Sequence, residues 1–309
     1  MRSSVLINNY NNAPYLEHCL ASVFLQRPQP DEIIFYDDGS SDGSLVIANK
    51  YRERLRIIAG QRGEGTAIQN QARAIATAFK ESTGDVVFLL DGDDGFLPGK
   101  MDAYLRAFRE APEAIMVQSP LLKIDHRGYL IGFEYEIERH QADYREHIYS
   151  AHELNVYYPT SSLAFRRSYL EKRLPLNPPA VLHVWPDAQL ALVAPLFGKV
   201  VALRQPYSEW RRHPRSHTVS KPHPIYRMVR FNQAYFNDFC RASGWAGITT
   251  WRSKSHLLRT LRHYLFPESC VQLSRSVRWA FMSERKKREM LLGPDLNVLN
   301  NYMLKRWRQ

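Results

Sequence analysis

The feature that most constrains this chain is a cluster of acidic residues directly after a short apolar run. Val86 to Leu90 is uninterrupted and apolar, which is typical of a strand buried on both faces, and it ends in Asp91-Gly92-Asp93-Asp94. Three carboxylates within four residues repel one another, so a purely structural role is disfavoured. Oxygen ligands at the carboxyl end of a buried strand suit a hard divalent cation that also binds substrate phosphates. The turn therefore predicts a Mg²⁺ or Mn²⁺ site, and the alternative is a solvated acidic turn.

Chain length and cysteine content bound the class of protein. The 309 residues are enough for one large α/β domain with an appendage. No run of about 18 apolar residues occurs, so we expect no transmembrane helix, and we expect no signal peptide either. Cys19, Cys240 and Cys270 are odd in number and lack metal-ligand spacing. They favour reduced cysteines in a cytoplasmic protein.

The net charge of +11 is concentrated at one end of the chain. Residues 221–309 contain 17 Lys/Arg and 5 Asp/Glu, whereas residues 1–220 are close to neutral. Pro222 and Pro224 mark the boundary, beyond which the pattern is helical. We therefore expect a domain over 1–220 and a basic helical C-terminal region over 221–309. This region is interpreted either as a contact with an anionic membrane surface or as a lid packed on the domain. Nucleic-acid binding is disfavoured because no recognition motif accompanies the charge.

Strand and helix patterns alternate through the first hundred residues. This alternation predicts an α/β fold with a mostly parallel sheet flanked by helices. The predicted strands are Ser4–Ile7, Glu32–Tyr36, Leu55–Ile58, the apolar run, Ile115–Gln118, Ser161–Phe165, Lys199–Leu203 and Tyr207–Arg211. We also expect a mobile polar loop over Glu134–Glu153 and one helix from Trp185 to about Phe197.

A second acidic turn strengthens the interpretation of the first. Asp37-Asp38-Gly39-Ser40-Ser41-Asp42-Gly43-Ser44 follows a predicted strand, and Asn9-Tyr10-Asn11 follows another. With the first acidic turn and Pro98, these motifs resemble the family 2 glycosyltransferases over about residues 3–220. The resemblance implies the GT-A fold, a Rossmann-like sheet that binds a nucleotide-diphosphate sugar. It further implies a donor-binding half over 1–120 and an acceptor-binding half over 121–220.

The resemblance also implies roles for individual residues. Asp93, assisted by Asp91 or Asp94, would hold the Mn²⁺ or Mg²⁺ ion, and Asp38 would accept a hydrogen bond from a base edge such as that of uracil. Gln69 stands where the family usually has Arg, so Arg73 would supply the missing cation at the phosphates; a solvated helix face is the alternative. The predicted donor-binding residues are Asn9, Asp38, Asn70, Arg73, Asp91, His213 and His217. For each histidine, a solvated basic loop is the alternative.

Asp187 is the predicted catalytic base. The resemblance places an Asp at the start of this helix as the group that deprotonates the acceptor, and a carboxylate in a first helical turn is stabilised by the helix dipole. A simple capping residue is the alternative. One base without a second nucleophilic carboxylate implies a single displacement with inversion at the anomeric carbon.

Together these features predict a metal-dependent, inverting hexosyl- or N-acetylhexosaminyltransferase. The expected donor is a UDP-sugar, and the expected acceptor is a saccharide or lipid-linked hydroxyl in surface polysaccharide or glycolipid synthesis. The protein would be cytoplasmic, with peripheral attachment at the inner face of the membrane. Two alternatives are a nucleotidyltransferase acting on sugar phosphates and a non-catalytic binding protein associated with membrane or nucleic acid.

Overall fold

The structure, a computed structural model, describes residues 1–134, 143–154, 157–176, 183–216 and 225–249. The strands are β1 (Ser3–Asn9), β2 (Glu32–Asp37), β3 (Arg56–Ala59), β4 (Val86–Asp91), β5 (Gly95–Phe96), β6 (Ala114–Gln118), β7 (Leu121–Ile124), β8 (Leu130–Glu134), β9 (Ala164–Arg166), β10 (Lys199–Ala202) and β11 (Ser208–Arg211). The helices are α1 (Ala13–Phe24), α2 (Ser44–Asn49), α3 (Ala67–Lys80), α4 (Lys100–Glu110), α5 (Tyr144–Ala151), α6 (Arg167–Arg173), α7 (Pro186–Ala191), α8 (Ala194–Phe197) and α9 (Ile225–Ser243).

The larger sheet has seven strands in the order β10-β6-β9-β4-β1-β2-β3. β9 runs antiparallel to both of its neighbours, and the other adjacent pairs are parallel. A second sheet has the order β5-β11-β7-β8. The predicted α/β fold with a mostly parallel sheet is therefore confirmed. Parallel strands bring their carboxyl ends to one edge, which is where ligands bind in open α/β sheets.

Both faces of the larger sheet are buried. Leu89 packs in a hydrophobic cluster with residues of α3, α7 and α9, whereas its neighbours Phe88 and Leu90 pack with residues of α1 and α4. Successive side chains of a strand point to opposite faces, so an unbroken apolar run is required when helices cover both. The apolar composition of β4 follows from this arrangement.

Three sequence predictions need correction. The stretch predicted as a mobile loop contains helix α5, which Asp143 caps by accepting hydrogen bonds from the Arg145 and Glu146 amides and whose Tyr144, His147 and Ile148 are buried. Polar residues on its outer face concealed this amphipathic pattern.

The strand predicted over Ser161–Phe165 is instead a 3₁₀ turn, Thr160–Ser162, followed by the short strand β9. Serine side chains in that turn bond to neighbouring segments, which favours a turn over a strand. The helix predicted from Trp185 to Phe197 is two short helices, α7 and α8. Pro195, which lacks an amide proton, lies in the first turn of α8.

Helix α9 forms the start of the predicted basic C-terminal region, and it packs on the rest of the chain. Phe236 and Cys240 are completely buried in the cluster that also contains residues of α7 and α8. Within the described residues, no helix is long and apolar enough to cross a bilayer. The remainder of the basic region, residues 250–309, lies outside the described residues.

The two-sided core makes a stability prediction. Phe88 is fully buried, with its ring centroid 5.6 Å from that of Tyr104 and 6.3 Å from that of Phe96. Phe88→Ala should lower the free energy of unfolding by about 3–5 kcal/mol, because it removes buried surface and leaves a cavity. Val46→Ala, at a position 69% exposed, is the matched control and should change it by less than about 0.5 kcal/mol in urea unfolding. Equal effects of the two substitutions would contradict the buried position of Phe88.

Candidate active site

The carboxyl ends of β1, β2 and β4 bring the predicted polar residues together. In the sheet register Asn8 lies opposite Asp91, and Asn9 lies opposite Asp37. The amide of Gly92 donates to the Asn8 carbonyl over 2.8 Å. A Cβ at position 92 would approach the Asn9 side-chain oxygen to 2.5 Å, so a larger residue there would require the Asn9 side chain to move. Both acidic turns therefore open from the same edge of the sheet.

The three carboxylates of the first turn have different surroundings. Asp91 Oδ1 accepts a hydrogen bond from Gln71 Nε2 over 3.1 Å. Asp93 Oδ2 lies 2.9 Å from His213 Nε2. Asp94 is buried, and its two oxygens accept from the Ser161 hydroxyl (2.6 Å) and the Arg211 amide (2.8 Å). Asp94 therefore anchors the turn to the protein, while Asp91 and Asp93 are its half-buried carboxylates.

A buried polar network supports the turn from behind. The ammonium of Lys100 is completely buried, and it donates to the Ser161 carbonyl and the Ser208 hydroxyl over 2.7 Å each. Ser161 also accepts the Asp91 amide through its hydroxyl. Arg211 donates from Nε to the Asp93 carbonyl over 2.8 Å. Desolvation lowers the pKa of Lys100, and the charge of Asp94 opposes this shift.

Electrostatics at the turn fit a divalent cation. Desolvation, then the charges of Asp93 and Asp187, raise the pKa of Asp91 to about 7. Within the described chain, no three His, Cys, Asp or Glu side chains converge as a metal-ligating group. Mg²⁺ and Mn²⁺ do not need such a group, since they bind through one or two carboxylates plus phosphate and water. Asp91 and Asp93 would supply that pair, and an ion there would relieve their repulsion.

Asp38, the predicted base-binding residue, lies between two arginines. It is almost completely buried, and its Oδ2 accepts from Arg62 Nη1 and its Oδ1 from Arg73 Nη2, both over 2.9 Å. The Arg62 guanidinium also lies 3.5 Å from the ring centroid of Tyr10. Arg73 thus contacts the second acidic turn. A carboxylate oxygen accepts two hydrogen bonds, so Asp38 retains acceptor capacity.

Asn9 and Asn70, predicted to contact the donor, are buried in loop-stabilising positions. Asn9 Nδ2 donates to Asp37 Oδ1 over 2.8 Å and to the Ser40 hydroxyl over 3.2 Å. Asn70 Nδ2 donates to the carbonyls of Gly63 and Gly65. Among the described residues, the side-chain oxygen of each asparagine has no hydrogen-bond partner. Both residues shape the loops around the site.

Asp187 lies at the start of α7 and is held by the turn before β9. Its Oδ2 accepts from the amide and the hydroxyl of Thr160, each over 3.0 Å, and its Oδ1 accepts from the Ala188 amide over 2.8 Å. Desolvation raises its pKa, and these hydrogen bonds oppose the shift. The charge of Asp187 also raises the pKa of Asp91. The predicted base and the predicted ion ligand therefore belong to one site.

Of the two predicted histidines, His213 lies in this site. It is 4% exposed, and its ring centroid is 4.7 Å from that of Tyr15. Its Nδ1 has no hydrogen-bond partner within the part of the chain that the structure describes. His217 lies outside the described residues.

Several contributors were missed at the sequence level. Thr160, Gln71 and Arg62 are ordinary polar residues in a turn, a helix and a loop, and nothing in their spacing indicates the aspartates that they contact. The position of Lys100 near the turn could have been predicted, because it is the first residue of α4, the helix that follows the acidic turn. Its burial was not predictable without knowledge of how β11 pairs with β5.

Comparisons with known proteins agree with this geometry. The model described as Glycosyl transferase family 2 matches residues 4–174. An uncharacterized glycosyltransferase of Nostoc sp. is 27% identical over 277 residues, covering 85% of this chain and 83% of the relative. The structure of Staphylococcus aureus TarS 1-349 in complex with UDP-GlcNAc superimposes with a TM-score of 0.59 at 17% identity, covering 94% of this chain and 78% of that one.

A second solved structure is similar over most of its length. The mannosyltransferase PcManGT from Pyrobaculum calidifontis, in complex with GDP-Man and Mn²⁺, gives a TM-score of 0.51 at 17% identity over 98% of this chain and 82% of that one. At such identities the two structures show a shared GT-A fold.

The raised pKa of Asp91 predicts pH-dependent metal binding. A carboxyl with a pKa of about 7 is mostly protonated at pH 6 and mostly ionised at pH 8, and a proton on it competes with a cation. Mn²⁺ affinity, measured by calorimetry in the presence of a nucleoside diphosphate, should therefore fall about tenfold from pH 8 to pH 6. Asp102→Asn, on the exposed face of α4, is the control and should keep this dependence, whereas Asp91→Asn should bind weakly at both pH values. An affinity that is constant over this range in the wild type would contradict the assignment.

Proposed function

This chain belongs to the family 2 glycosyl transferases, and we propose that it transfers a hexose or N-acetylhexosamine from a UDP-sugar to a hydroxyl acceptor with inversion. The observation that carries the proposal is the pairing of two differently held carboxylates in one site. Asp187 and Asp91 are close enough for their charges to interact, yet Asp187 is fixed by Thr160 while Asp91 lies in the acidic turn. An acceptor base beside a diphosphate-binding turn is what direct sugar transfer requires.

The donor diphosphate lies at the first acidic turn in this proposal. Asp91 and Asp93 hold the Mn²⁺ or Mg²⁺ ion, which when bound neutralises charge on the departing diphosphate as a Lewis acid. His213, whose Nε2 lies 2.9 Å from Asp93 Oδ2, orients that carboxylate beside the leaving group. The solved relatives in complex with UDP-GlcNAc, and with GDP-Man and Mn²⁺, support this class of ligand.

Asp187 removes the acceptor proton. Its carboxylate takes the proton of the attacking hydroxyl, the acceptor oxygen forms a bond to the anomeric carbon, and the bond from that carbon to the diphosphate oxygen breaks. The raised pKa makes Asp187 a stronger base than an exposed aspartate. Thr160 binds Oδ2, so Oδ1, which also accepts a hydrogen bond from the Ala188 amide, is the oxygen proposed to take the proton.

The contacts of Asp38 in the second acidic turn favour uracil as the base of the donor nucleotide. Arg62, Asp38 and Arg73 present donor, acceptor and donor groups side by side. The edge of uracil offers the complementary acceptor, donor and acceptor (O4, N3–H and O2). Cytosine presents an acceptor at N3 and a donor at N4, so it would place like groups against Asp38 and one arginine. A UDP-sugar is therefore the proposed donor.

We also propose a wider role, for which the charge pattern is the supporting observation. Transfer to a saccharide or lipid-linked acceptor in surface polysaccharide or glycolipid synthesis is proposed. Residues 221–309, with an excess of 12 positive charges, would hold the protein at an anionic inner membrane surface. Attachment through the basic region would place Asp187 near a lipid-linked acceptor.

Loss of the base should separate binding from turnover. Asp187→Asn should reduce transfer, measured as UDP release, by about 10²–10⁴-fold, because general base catalysis is removed, while Mn²⁺-dependent UDP affinity stays within about twofold. Asp102→Asn is the matched control and should retain wild-type values. Retained turnover with weakened UDP binding would reassign Asp187 to the donor.

Base recognition at Asp38 gives a second test. UDP should bind at least about tenfold more tightly than CDP in calorimetry with Mn²⁺, because cytosine leaves buried polar groups unpaired. Asp38→Asn should reduce this preference toward unity, since an amide can present either a donor or an acceptor. Glu64→Gln, on the exposed part of the neighbouring loop, is the control. Equal affinities of the wild type for UDP and CDP would exclude the proposed base contact.

A further inference from the structure

Helix α9 is fixed directly to the helix that carries Asp187. The hydroxyl of Tyr235 on α9 donates to the carbonyl of Gln189 on α7 over 2.9 Å. Arg173 at the end of α6 donates to the same hydroxyl over 2.9 Å. These bonds hold the middle of α9 against α7, and Phe236, the neighbour of Tyr235, is fully buried.

Four side chains form a partly exposed surface at this junction, here called the aromatic ledge: Tyr157, His183, Phe231 and Asn232. The rings of His183 and Phe231 are stacked, with centroids 4.4 Å apart and planes 26° apart. Asn232 Nδ2 lies 3.5 Å from the Tyr157 hydroxyl. His183 is exposed, and the other three are half-buried. The ledge is therefore not part of the closed core.

The ledge lies next to the proposed base. Desolvation and then the charge of Asp187 raise the pKa of Tyr157, so its phenol keeps its proton and can donate. His183 precedes Asp187 by four residues, across the start of α7. Tyr157 lies three residues before Thr160, whose amide and hydroxyl bind Asp187, so two segments of the chain bring the ledge close to this carboxylate.

The chemistry of the ledge matches a sugar. Ligand sites combine apolar or aromatic surfaces with a few polar groups that fix orientation. The stacked rings offer an apolar face for the C–H groups of a sugar ring, and the Tyr157 hydroxyl and Asn232 amide offer hydrogen bonds to sugar hydroxyls. Their mutual contact of 3.5 Å is at the long limit of a hydrogen bond, so both groups remain able to bind a ligand. None of the four side chains is a carboxylate, a lysine or an arginine.

We propose that the aromatic ledge is the acceptor subsite and that it takes a neutral saccharide unit. This inference rests on the proposed function and adds the substrate class of the acceptor. His183, Phe231 and Asn232 lie beyond residues 4–174, the part that the family model matches. The acceptor preference is thus set by this chain's own C-terminal helix.

The test measures UDP release from UDP-glucose, UDP-galactose and UDP-N-acetylglucosamine with Mn²⁺. Neutral saccharides (glucose, galactose, mannose, N-acetylglucosamine, lactose and cellobiose) and glycerol phosphate are added as acceptor probes. At least one neutral saccharide should stimulate release in the wild type. Tyr157→Phe and Asn232→Ala should raise the saccharide concentration for half-maximal stimulation about tenfold, with kcat within about threefold and UDP affinity unchanged.

Controls separate the ledge from the fold and from the donor site. Met228→Ala, at a 45% exposed position on the same helix, should behave as wild type. Tyr157→Phe removes one oxygen and keeps the ring, so its melting temperature should lie within about 2 °C of that of the wild type. It therefore tests the ledge even if Asn232→Ala does not fold.

The outcomes are distinguishable. Absence of UDP release by the wild type from every donor would contradict the proposed function itself. Three results would overturn the acceptor role of the ledge while leaving that function intact. They are UDP release that no neutral saccharide stimulates, stimulation by glycerol phosphate alone, and saccharide stimulation that is unchanged in Tyr157→Phe.

Discussion

Repulsion among the carboxylates at the end of β4 is the constraint on which the surrounding structure depends. Two like charges about 4 Å apart near a protein surface repel by about 4 kcal/mol, whereas one hydrogen bond contributes about 1 kcal/mol net. No single contact can hold such a turn. Ser161, Arg211 and Lys100 share that role: the first two bind Asp94 directly, and the third binds the carbonyl of Ser161. These contacts fix the buried side of the turn at Asp94, whereas Asp91 and Asp93 lie on its half-buried side.

The same constraint links the two halves of the chain. Ser161 belongs to the turn before β9, and Arg211 belongs to β11, so segments far apart in sequence meet behind one acidic turn. Thr160, the neighbour of Ser161, holds Asp187. One short turn thereby contacts both the anchoring carboxylate of the proposed ion site and the proposed base. A displacement of that turn would disturb both groups together.

Much of the fold and part of the site could be predicted from sequence, for identifiable reasons. Buried parallel strands leave unbroken apolar runs, and the turns that follow them carry the polar residues, so β1, β2, β4 and their acidic turns were predicted close to their observed positions. Helix α5 was missed because its exposed positions, Arg145, Glu146 and Ser150, are charged or polar. The 3₁₀ turn was missed because serines that bond to distant segments look like any other polar residues. Partners such as Arg62 and Gln71 depend on tertiary contacts that a periodic pattern does not record.

The direction of β9 determines which connecting segments can supply side chains to the site. In a parallel sheet, the segments that leave strands reach the ligand edge, and those that enter strands reach the opposite edge. Because β9 is inverted between β4 and β6, its entering segment arrives at the ligand edge, and Thr160 and Ser161 come with it. Reversal of one strand thus gives the site a source of side chains that an all-parallel sheet lacks.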